Sequence, residues 1–130
     1  MGNYGMSKKL DISYEEAIEK TKKALSAQGF GVLTEIDVKA TLKKKLDKDF
    51  RKYIILGACN PPFAYRAFTE ELEIGLLLPC NVIVYENEGG KGSTVTAVDP
   101  VVSLSRVGRK DMEPLAEEVK GLLKKALDSL

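Results

Sequence analysis

The segment "DMEPLAEEVKGLLKKALDSL", Asp111 to Leu130, constrains the fold of this chain more than any other. Met112, Leu115, Ala116, Val119, Leu122, Leu123, Ala126, Leu127 and Leu130 recur at helical spacing and form one continuous apolar stripe. Asp111, Glu113, Glu117 and Glu118 precede Lys120, Lys124 and Lys125, an order that complements the helix dipole. A stripe this long needs an apolar surface of matching length. The alternating segments upstream can supply one, so this helix is expected to cover the face of a sheet.

Those upstream segments follow in a clear order. "LDISYEEAIEKTKKALSAQGF" opens with a short β-like piece and continues as a helix over Tyr14 to Gln28. Ser13 and Glu16 have capping-box spacing. Ile18, Thr21, Leu25 and Gln28 form the inner stripe, flanked by Ala17 and Ala24, and Gly29 is placed to stop the helix in the left-handed region. "FGVLTEIDV" alternates Phe30, Val32, Thr34, Ile36 and Val38 against Gly31, Leu33, Glu35 and Asp37, the period of a half-buried strand. "KATLKKKLDKDFRK" is expected to hold a short surface helix, and "YIILGAC" a buried strand. Asn60 suits an N-cap and Pro61 the first helical position, giving a helix to about Glu71 with Phe63, Ala67 and Phe68 available for packing. "LPCNVIVYENEGGKGSTVTAVDP" has the form of a hairpin turning through Gly89, Gly90 and Gly92. The order β-α-β-(short α)-β-α-β-β-α, without repeat or linker, describes a single α+β domain over residues 1–130, with residues 1–6 expected to be a flexible lead-in.

Composition narrows the chemistry. The chain has 130 residues, 44% apolar and 30% charged, as expected of a globular domain. Its formal net charge of +1 supplies no global field toward nucleic acid or an anionic membrane. There is no apolar run long enough to span a bilayer and no secretory leader pattern, and Met6 occupies the Ser/Thr position of a myristoylation signal. A cytoplasmic protein is the expectation. Histidine is absent altogether, which removes Ser-His-Asp and Cys-His activation and the commonest metal ligand. Whether the chain is an enzyme is left open.

Two cysteines then stand out, each followed by asparagine and close to proline: "LGACNPPFA" at Cys59 and "LLLPCNVIVYE" at Cys80. Cys59 lies where a strand ends and a helix begins, where backbone amides and the helix dipole favour a thiolate. If the strands on either side pair antiparallel, both thiols fall at one end of the sheet; a right-handed parallel crossover would put them at opposite ends.

With "GFGVLTEIDV" and "VDP", these cysteine segments make the chain resemble the bacterial and archaeal family known as domain of unknown function 302, from about residue 11 onward. The family's characteristic positions fall on Glu35 and Asp37, on Cys59, Asn60 and Pro61, on Pro79, Cys80 and Asn81, and on Asp99 and Pro100. The resemblance implies a curved antiparallel sheet of about five strands backed by helices. The arrangement would be TATA-binding-protein-like, β-α-β4-α, with an extra helix inserted after Cys59. It also implies antiparallel pairing of the two cysteine strands and a homodimer, and it supplies no reaction.

Several site readings follow. Cys59, Asn60, Cys80 and Asn81 are candidates for a small-ligand or thiol-dependent site, with Cys59 as candidate nucleophile and Cys80 as its partner. A structural reading stays open beside it, because cysteine often packs as a small hydrophobe. Zinc on Cys59 and Cys80 would need two further ligands. Glu35 and Asp37, on one strand face, could hold a cation or act as acid and base, or simply face solvent. The Lys43 to Lys52 flank offers a rival, an interaction protein binding nucleic acid, but Asp47 and Asp49 interrupt it and a solvated helix face is the simpler account.

Overall fold

The computed structural model describes residues 3–130. Five strands form one antiparallel sheet: β1 (Gly5–Leu10), β2 (Gly31–Asp37), β3 (Tyr53–Cys59), β4 (Cys80–Glu86) and β5 (Ser93–Val98), in the order β1-β5-β4-β3-β2. Between them run α1 (Tyr14–Ala27), α2 (Val38–Leu46) and α3 (Pro61–Glu70), and after them α4 (Pro100–Leu104) and α5 (Glu113–Asp128). The α+β sheet of five strands and the helix inserted after Cys59 are as expected. Met1 and Gly2 lie outside the described residues. Gly5 and Met6, inside the segment expected as a lead-in, already pair with Val98 and Ala97.

The helices form where their local signals placed them. Ser13 caps α1 by accepting from the Glu16 amide at 3.1 Å, and Gly29, at φ +84°, lets Phe30 N–H turn back to Leu25 O at 2.9 Å. The inner stripe of α1 buries Ala17, Thr21 and Leu25. That of α5 buries Leu115, Ala116, Val119, Leu123, Ala126 and Leu127. Both helices lie on one face of the sheet, against Ile54, Leu56 and Ala58 of β3, Val82 and Val84 of β4, and Val95 and Ala97 of β5.

Among the described residues the opposite face contributes no buried residue to either core cluster. Ile36, Ile55, Ile83, Tyr53 and Tyr85 point there, and none of them belongs to either core.

The expected alternation of β2 fails at one residue. A bulge at Leu33 separates Val32, opposite Ala58, from Thr34, opposite Gly57. One extra residue reverses every later side chain, so Val32 faces the core while Thr34 and Ile36 face the open side. The sequence reading also missed α4 and the 3-10 segments at Leu72–Leu77, Ser105–Val107 and Lys110–Met112.

Gly57 is fixed by the same crossing. A Cβ there would lie 2.2 Å from Thr34 Oγ1 and 2.8 Å from Pro79 Cγ. Thr34 can rotate on its edge strand, but the Pro79 ring cannot. Gly57→Ala is expected to destabilise by about 2–3 kcal/mol, seen as a lowered urea midpoint with unchanged slope. An unchanged midpoint would show that the strand shifts freely.

Candidate functional site: an apolar cavity beside two thiols

The end of the sheet where β3 stops and β4 starts holds the cysteines. The two strands are antiparallel, Ala58 sits opposite Cys80, and Cys59 is the next residue along. Both cysteines are free, Cys80 buried and Cys59 half-buried.

Above them the apolar interior divides. The main core lies between the sheet, α1 and α5; a second cluster of Ala67, Ile74, Leu104, Met112, Leu115 and Ala116 lies under α3. Phe63 and Leu78 touch both clusters without filling the seam. What remains there is a cavity of about 230 Å³, open at one side. Its walls are Phe30 and Leu33 from the start of β2, Ala58, Cys59 and Cys80 from the strand ends, and Asn60, Phe63, Ala64, Ala67 and Phe68 from α3 and its cap. Gly75, Leu78, Pro79, Leu104, Leu115 and Val119 close the rest. The lining is almost wholly apolar, and the mouth is flanked by exposed Leu33 and Phe68.

Burial decides the character of the inner thiol. Loss of solvent, with the neighbouring Cys59 as a smaller contribution, pushes the Cys80 thiol up to about 11. Cys80 is therefore protonated at neutral pH, a wall of the cavity. Native protein at pH 7.5 should release colour from Ellman's reagent for one thiol per chain and for both only after denaturation. Two fast equivalents would contradict the burial of Cys80. Linkage gives a second readout. Folding holds the proton on Cys80 above the pH where an unfolded thiol loses it, so this stabilisation is complete below about pH 9. It is lost as pH rises through 11, roughly 2–3 kcal/mol in all. Cys80→Ala should flatten that part of the stability profile; an unchanged slope would assign it to other groups.

The remaining candidates separate. Asn60 begins α3, but its side chain makes no cap hydrogen bond. Pro61 and Pro62 leave no amides at the first two helical positions, so there is less to cap. Instead Asn60 Nδ2 donates to Gln28 O at 3.3 Å and ties the end of α1 to the start of α3. Asn81 is exposed on the open face, because consecutive strand residues point opposite ways; it does not line the cavity with Cys80. Glu35 pairs with Lys22 at 3.0 Å, and Asp37 caps α2 by accepting from the Ala40 amide at 2.9 Å. Asp99 caps α4 through Val101 N–H at 3.0 Å and pairs with Lys120 at 3.0 Å. Among the described residues no three Cys, Asp or Glu side chains gather as a metal would require.

Much of the basic flank is engaged. Lys39 donates to Phe50 O at 2.7 Å, Lys43 meets Asp47 at 2.8 Å and Asp49 at 3.7 Å, and Lys52 meets Glu15 at 2.7 Å. No helix among the described residues is long and apolar enough to cross a membrane.

The sequence reading missed most of the cavity wall. Phe30, Phe63, Ala67, Leu104, Leu115 and Val119 come from separate elements, and each carries only the signal of an ordinary core residue.

Comparison with known proteins places this arrangement in context. The model of the domain of unknown function DUF302 matches residues 6–130. Three solved chains match as well. One is the crystal structure of an uncharacterized conserved DUF302 protein from Bacillus stearothermophilus, 27% identical, with a TM-score of 0.89 over 98% of each chain. No curated protein matches.

Proposed function

The chain belongs to the DUF302 family, and from that premise and the cavity wall we propose that it binds a small apolar molecule, or the apolar part of a larger one, against Cys59 and Cys80. The observation that carries this reading is the unfilled seam between two apolar clusters, about 230 Å³ beside a half-buried thiol. Interiors normally close such spaces, since each lost contact costs dispersion energy. A cavity of about 150 Å³ with a comparable lining already takes up benzene in another protein. A two-ring aromatic is therefore a sensible size here. Cys59, half-buried, is the more accessible of the two polarisable contacts, and Cys80, buried, is inner wall.

The same reading includes a homodimer, supported by the isoleucines and tyrosines on the sheet face opposite α1 and α5, and a cytoplasmic location, where two adjacent thiols stay reduced. Nucleic-acid binding through Lys43 to Lys52 is the rival reading; Lys43 and Lys52 already pair with Asp47 and Glu15, which leaves fewer of its cations ready for phosphates.

Indole tests the reading. At ten times its dissociation constant it should raise the melting temperature by about 3–6 °C and slow alkylation of Cys59. Ala64→Phe, which fills the cavity from α3, should fold normally and lose both effects. A wild-type protein that shows neither effect at millimolar indole would sink the proposal.

A further inference from the structure

The sheet presents two faces of different kinds, and only one is used. On the open side a row of cross-strand neighbours runs through all five strands: Ser7, Thr96, Ile83, Ile55 and Ile36. Ser7 and Thr96 hydroxyls bond at 2.7 Å, which confirms that the row shares one face. The next row is Lys9, Thr94, Tyr85 and Tyr53, with the two tyrosine rings stacked at 5.6 Å and Arg51 at 5.8 Å over Tyr85. Three isoleucines and two tyrosines on a solvent-facing sheet are an uncommon outlay of apolar surface, since an open antiparallel face is usually polar.

We infer that this face is the surface through which two copies of the chain associate, sheet against sheet. The inference rests on the homodimer reading above and assigns its surface. Charge selects the occupant. Among the described strand positions on this face Lys9 is the single ionic side chain, and it sits on the edge strand β1. A two-fold axis near Ile83, on the central strand β4, would hold the two Lys9 side chains at opposite corners. The isoleucine row in the middle would then meet itself, with the Arg51 guanidinium over Tyr85 as the cation nearest to it. A polyanion would find only Lys9 at one edge and Arg51 beside Tyr85 to neutralise there. Area agrees. Five strands at about 4.8 Å spacing and six residues at about 3.4 Å give a projected face of roughly 500 Å². Two such faces remove roughly 1,000 Å² even before side-chain relief is counted, which reaches the lower range of specific interfaces. Exposed Phe50 and Ile36 extend the contact at the β2 and β3 side.

The experiment is sedimentation velocity of the full chain at micromolar concentration. The wild type should sediment as a dimer. Ile83→Lys should halve the mass while keeping the far-ultraviolet dichroism. Ile36→Lys, at a 48% exposed edge position that folding tolerates, should weaken association at least tenfold should Ile83→Lys fail to fold. Leu76→Lys, 85% exposed in the 3-10 segment Leu72–Leu77 outside the sheet, should leave the dimer intact. A monomeric wild type would overturn the homodimer reading together with its surface. A dimer that survives both isoleucine changes, or that Leu76→Lys dissociates, would overturn the surface alone.

Discussion

Deleting residues 111–130 is expected to abolish cooperative folding and leave an aggregating chain. The deletion removes α5 with Leu115, Val119, Leu123 and Leu127, all buried, and strips the cover from Leu56, Val82, Val84, Val95 and Ala97. Burial of a Leu or Val side chain is worth roughly 1.5–3 kcal/mol, so those four alone contribute about 6–12 kcal/mol. Domains of this kind are stable by only about 5–15 kcal/mol in total. The loss therefore matches or exceeds what holds the fold. The exposed sheet face would also offer an apolar surface for association, in addition to the open face on the other side. The check is solubility and urea unfolding of the truncated chain; a soluble product with a sigmoidal transition would show that α1 alone suffices to cover the sheet.

Leu56→Ala should be the most damaging single substitution, at about 3–5 kcal/mol. Leu56 has no exposed surface and stands in β3 between Val82 on β4 and Glu35 on β2, under the helices. Strands on both sides and a helix layer above leave little room for collapse, which puts the cost in the upper part of the range for such truncations. Leu33→Ala, at the β2 bulge, makes the internal comparison. Leu33 is 68% exposed, so its loss should change stability by less than about 0.5 kcal/mol. Paired urea titrations decide: equal shifts for the two variants would mean that the core is not where the burial pattern puts it.

The elements legible in the sequence were those with one-dimensional signals. α1 and α5 declared themselves by stripe, cap and charge order, and the β4–β5 hairpin by its glycines. α4 did not, although Asp99–Pro100 repeats the cap-and-proline signal of Asn60–Pro61; five residues are too few to show a stripe. The bulge at Leu33 was hidden because no glycine or proline marks it and its neighbours alternate smoothly. Cys80 and Asn81 could have been separated in advance, since adjacent residues of a strand cannot share a face. The closeness of Cys59 and Cys80 was another matter. It depends on the pairing direction of β3 and β4, for which the family resemblance, and not the residues themselves, gave the preference. The cavity had no sequence signal at all. It arises where two apolar clusters fail to merge, a property of three-dimensional fit between distant side chains.

The central claim is that this seam is a binding cavity, and an amide-resolved nuclear magnetic resonance titration with indole tests it most directly. The account predicts saturable shifts concentrated at Ala58, Cys59, Ala64, Ala67, Phe68 and Cys80, with Ile55, Ile83 and Thr96 on the open face unmoved, and loss of those shifts in Ala64→Phe. Shifts that fall on the open sheet face, that scatter over the surface without saturating, or that persist in Ala64→Phe would contradict it.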